Sequence, residues 1–152
     1  MLSELITLLT CGDLQGKELA NCASRVTASP MDPELAWIDG QHPGEYMQFA
    51  LLAELGDYYA TGATVDELHQ EVSEQFADPL PDVPDAGLSV PGYFQWLDGV
   101  LASRATAYQL LRWGGDFDDN LYTFIVRRGD TPRILALAAE LGLEVEPAAA
   151  SS

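Results

Sequence analysis

The chain has 152 residues, 47% of them apolar and 20% charged, with 24 acids against 7 bases and a net charge of -17. That length and apolar content suit one folded domain with a continuous core and exclude an intrinsically disordered chain. So acidic a composition argues against nucleic acid as a direct partner, because phosphate binding needs a basic footprint.

No apolar run approaches the roughly 18 residues of a membrane span, so no membrane partner is expected. The opening Met1-Leu-Ser-Glu-Leu-Ile lacks the basic segment of a secretory signal, and a cytoplasmic location is the expectation. The two cysteines, Cys11 and Cys22, have no CxxC spacing. They read as small buried thiols of a reduced protein, with a disulfide between them left open by sequence alone.

Leu2, Leu5, Ile6 and Leu9 recur at the spacing of a short amphipathic helix. Asp13 is placed to cap a second helix, whose stripe is Leu19, Cys22, Ala23 and Val26. Leu35, Trp37 and Ile38, between Pro33 and Gly40, read as a short strand. Tyr46 to Tyr59 is apolar around most of its circumference, the pattern of a central core helix, with Gly62 closing it. Thr64-Val-Asp-Glu67 is a capping box. The helix it starts buries Val65, Leu68, Val72 and Phe76 and exposes Asp66, Glu67, Gln70, Glu71 and Glu74.

Pro79, Pro81, Pro84 and Pro91 then make a stiff loop, because proline removes the donor that a helix or central strand needs. Tyr93, Trp96, Leu97, Val100 and Leu101 mark the next helix. After it the pattern changes. Residues 107–113 and 121–128 are rich in aromatic and β-branched residues and read as two antiparallel strands. Thr131-Pro132 opens a last helix, Gly142 stops it, and Leu143-Glu-Val-Glu146 alternates like a short strand. The predicted fold is α+β: a small, mostly antiparallel sheet with helices on one face and around the edge. Residues 1–146 form the domain, ending in strand–strand–helix–strand, and residues 147–152 form a frayed tail.

Motifs with specific chemistry are missing. No GxSxG, phosphate loop, GxGxxG or HExxH is present. Asp116-Phe-Asp118-Asp-Asn120 opens like a calcium loop, but the sixth and twelfth positions are Leu121 and Arg127 rather than glycine and glutamate. It reads instead as a turn in which Asp and Asn side chains bond the loop backbone. Arg112, Arg127 and Arg128 lie on the predicted hairpin, placed to pair with Asp116, Asp118 and Asp119 or to bind an anion, with ordinary cross-strand pairing the plainer reading. His69 reads as a surface histidine without a role. No catalytic residues, metal ligands or cofactor are expected, and the chain does not read as an enzyme.

The charge distribution carries more. Between Arg25 and Arg104 there are fourteen acids and neither lysine nor arginine. Like charges this dense repel one another and destabilise a fold, yet they speed association with a basic partner. The expected contact residues for a basic protein are Asp66, Glu67, Glu71 and Glu74 on the capped helix and Asp78, Asp82 and Asp85 on the proline loop. Tyr58 and Tyr59, with Phe76, are the expected apolar anchors. The bland reading is an acidic surface that serves solubility alone.

The run Trp113-Gly-Gly-Asp-Phe-Asp-Asp-Asn-Leu-Tyr-Thr-Phe-Ile-Val, followed by Asp130-Thr-Pro-Arg-Ile-Leu-Ala-Leu-Ala, resembles small acidic bacterial proteins of uncharacterised families. The likeness covers roughly residues 105–146. In its general style the chain also resembles immunity proteins of bacterial toxin systems, which are small, acidic, cytosolic α+β proteins without catalytic motifs. The resemblance implies a protein that neutralises a basic toxin by direct binding. The alternative is a housekeeping or regulatory binding module with no toxin partner, marked by an apolar groove between the proline loop and the helix carrying Tyr93 and Trp96.

Overall fold

Apolar residues on both sides of a strand demand cover on both faces of the sheet, and Leu110-Leu111 and Phe124-Ile125-Val126 supply them. A computed structural model, describing residues 2–28, 45–56, 58–76, 80–84, 87–114 and 120–150, shows that cover. The helices are α1 (Leu2–Leu9), α2 (Gly16–Thr27), α3 (Glu45–Glu54), α4 (Val65–Glu74), α5 (Val90–Ala102) and α6 (Thr131–Leu141). The strands are β1 (Tyr59–Gly62), β2 (Tyr108–Trp113), β3 (Leu121–Arg127) and β4 (Val145–Pro147). They form one sheet in the order β1-β3-β2-β4, and every pairing is antiparallel.

Side-chain alternation along the strands divides the core in two. Leu111, Trp113, Phe124 and Val126 join Leu5, Ile6 and Leu9 of α1, Cys22 and Val26 of α2, Leu51 of α3 and Ile134 and Leu137 of α6. Ala60 and Leu110 join Leu68 and Val72 of α4 and Tyr93, Phe94, Leu97 and Leu101 of α5. The sheet is therefore a middle layer, not a sheet with one helical face as the sequence suggested. Each large apolar side chain fully buried in such a layer contributes about 1.5–3 kcal/mol.

Local signals explain the ends of elements. Ser89 accepts a hydrogen bond from Gly92 N and caps α5, while Gly142 takes the left-handed conformation (φ 75°) that stops α6. Four boundaries differ from the sequence reading. The helix expected over 46–59 ends at Glu54, and Tyr59 to Gly62 form strand β1 instead. Asp13 does not cap α2, whose N-cap is Gln15; its carboxylate accepts from the Tyr58 hydroxyl. Thr131 lies inside α6, with Asp130 at the N-cap. Pro147, expected in the tail, pairs with Leu111, and Ala148 beyond it is buried. The strand predicted at 35–38 lies outside the described residues.

Both cysteines are free, Cys22 buried and Cys11 half-buried, and burial raises both thiol pKa values above the ordinary 9.0. No helix among the described residues is long and apolar enough to cross a membrane.

Candidate functional site

Helix α4 begins where the sequence places it. Thr64 Oγ1 accepts from Glu67 N at 3.3 Å, and Glu67 Oε2 accepts from Ala63 N at 2.9 Å. Both bonds satisfy backbone donors that a helix start leaves open, so the first turn is fixed. Leu68 and Val72 turn inward, and α4 packs against strand β1. Gly62 permits this approach: a Cβ there would stand 2.6 Å from Leu68 N.

One flank of α4 forms a wall of an open groove of about 380 Å³. Glu67, Gln70, Glu71 and Glu74 line that wall, Thr61 and Gly62 supply the strand edge, and Asn120 closes the end. The i, i+4 and i, i+7 spacing of the three glutamates puts their carboxylates on a single stripe. Ion pairs among the described residues run from Arg25 to Glu54, Arg128 to Asp98 and Arg133 to Glu4. None of them neutralises a carboxylate of this groove.

Three of the predicted contact residues thus come together, joined by Thr61, Gln70 and Asn120, which the sequence reading missed. The signal for the strand edge was present in Tyr58-Tyr-Ala-Thr-Gly62, an aromatic and β-branched run after a glycine. Asp66 is exposed on α4 outside the groove lining, and Asp82 is exposed on the short segment 80–84. Asp78 and Asp85 lie outside the described residues.

The aromatic anchors do not join the acids. Tyr59 packs edge-on against Tyr122 and Phe124, with ring centroids 5.5 and 5.7 Å away, in the α1–α2–α3–α6 layer. Tyr58 belongs to the same layer and lines a separate cleft with Arg25, Glu54 and Cys22. Both tyrosines therefore pack against the α1–α2–α3–α6 core, whereas the glutamates stand on α4. Phe76 is also engaged: the Tyr108 ring meets it at 5.5 Å and the Arg104 guanidinium lies 5.0 Å above it.

His69 is not a surface side chain without a role. Its Nε2 donates to the Pro81 carbonyl at 3.0 Å, and its Nδ1 accepts from the Tyr93 hydroxyl at 2.9 Å. Because a carbonyl only accepts, the Pro81 bond fixes the tautomer. The imidazole also meets the Tyr93 and Trp96 rings at 5.6 Å. Leu80 and Val83 pack into the same cluster as Tyr93 and Trp96. Tyr93 is fully buried, and that burial holds its phenol far above the ordinary value of 10.0.

Two of the hairpin arginines make contacts beyond the hairpin. Arg128 pairs with Asp98 of α5 at 2.7 Å, and Arg127 Nη2 donates to the Cys11 carbonyl at 2.9 Å. Arg112 stands opposite Glu146 across the β2–β4 ladder. Residues 115–119, with the acids of the turn, lie outside the described residues. Among the described residues, no three His, Cys, Asp or Glu side chains are grouped to hold a metal ion.

Comparison with protein-family models, with curated proteins and with solved structures finds no match to this chain.

Proposed function

We propose that this chain is a small acidic binding protein that neutralises a basic protein by direct contact, in the manner of an immunity protein. The observation that carries this reading is the groove between α4 and β1. Glu67, Glu71 and Glu74 share it without a neutralising cation among the described residues. Three like charges on one rigid helix face repel one another, and a basic partner would relieve that repulsion on binding. The capped helix presents them without further ordering, so association loses little side-chain and backbone freedom. The alternative, a housekeeping or regulatory binding module with no toxin partner, would instead bind through an apolar groove between the proline loop and the helix carrying Tyr93 and Trp96.

The test is coexpression with the product of the neighbouring reading frame, followed by titration calorimetry of the two purified proteins. Rescue of growth and a saturable complex are expected if that product is a basic toxin. A neighbour that is neither toxic nor bound by this chain overturns the immunity reading.

A further inference from the structure

We draw no further inference here: the strongest candidate, the acidic groove between helix α4 and edge strand β1, is the surface on which the proposed function already rests, and its cluster of carboxylates has no second observation among the described residues that points to another ligand.

Discussion

The indole nitrogen of Trp113 donates to the main-chain oxygen of Gln48 at 2.9 Å, and the Gln48 side chain reaches on to the end of the sheet. Its amide donates to the carbonyls of Gly114 and Glu144 at 3.0 Å each, and its oxygen accepts from Glu144 N at 2.8 Å. One 5% exposed polar side chain thus ties α3 to the ends of β2 and β4. Gln48→Met keeps the volume and removes every side-chain bond. It leaves Glu144 N and Gly114 O unpaired, and each orphaned group costs about 1–3 kcal/mol. A loss of about 2–4 kcal/mol in urea unfolding is expected. A loss below about 0.5 kcal/mol, the range of an ordinary surface change, would show that the tie is dispensable.

Gly62 and Gly99 should respond to alanine in opposite directions. At Gly62 the added carbon meets the Glu67–Leu68 peptide, with Leu68 N at 2.6 Å and the Glu67 carbonyl carbon at 3.0 Å. That peptide cannot move without lifting α4 from the sheet, so about 1–3 kcal/mol of overpacking is expected. Gly99 lies inside α5 with open space around the new carbon. There Gly99→Ala should stabilise by about 0.5–1 kcal/mol through the lost freedom of the unfolded chain. Thermal midpoints of the two variants, measured side by side, check both signs.

Much of this architecture was legible where one local signal decides the outcome. The Thr64–Glu67 box, the stop at Gly142 and strands β2 and β3 each rest on capping, a left-handed glycine or β-rich composition. Strand β1 was not, because Leu52, Leu55 and Tyr59 continue a helical spacing across Gly56 and periodicity alone does not break there. Gln48 and His69 were missed for a different reason. Their bonds reach Glu144 and Pro81, 96 and 12 residues away, and no local pattern encodes such partners. In the candidate site, the helical stripe of glutamates was readable from spacing, whereas Tyr59 was misplaced because its face depends on the unrecognised strand β1.

Tyr93 sets a limit on alkaline stability. Burial raises its phenol above the ordinary 10.0, so the unfolded chain releases this proton while the folded chain retains it. Stability from this group is complete below pH 10 and falls as pH rises beyond it. Cys11 and Cys22, also raised by burial, act with the same sign and cancel when parent and variant are compared. Urea midpoints of Tyr93→Phe should therefore decline less steeply above pH 10 than those of the parent. Parallel declines would mean that Tyr93 ionises freely in the folded state.

The His69 bonds should hold segment 80–84 in place. His69→Phe keeps an aromatic ring between Tyr93 and Trp96 but leaves the buried Tyr93 hydroxyl without its acceptor. A cost of about 1–3 kcal/mol follows from that orphaned group. Pro81 loses its donor as well, and the amides of Leu80, Asp82 and Val83 should exchange hydrogen faster. Unchanged exchange at these three amides, with the chain otherwise folded, would place the restraint in the packing of Leu80 and Val83 alone.

The acidic groove can be tested by removing its charge while keeping its shape. Glu67→Gln, Glu71→Gln and Glu74→Gln together delete three charges from one helix face. The capping box survives, because a glutamine oxygen at position 67 still accepts from Ala63 N. Unfolding should therefore change little: the weaker interaction of position 67 with the helix N-terminus is offset by relief of mutual repulsion and by removal of the Glu74 charge from the helix C-terminus. Binding to a basic partner is expected to respond much more. Steering by three carboxylates on a rigid wall should raise the association rate by roughly tenfold or more at low salt, and this gain should vanish as salt screens it. Dissociation should change less, since short-range contacts rather than the long-range field govern it. Stopped-flow association of parent and triple variant with the basic neighbour, at low and high salt, separates the two outcomes. Rates that converge at high salt and diverge at low salt support the groove as the docking surface. Rates indifferent to both salt and the triple substitution would leave the acids as a means of solubility.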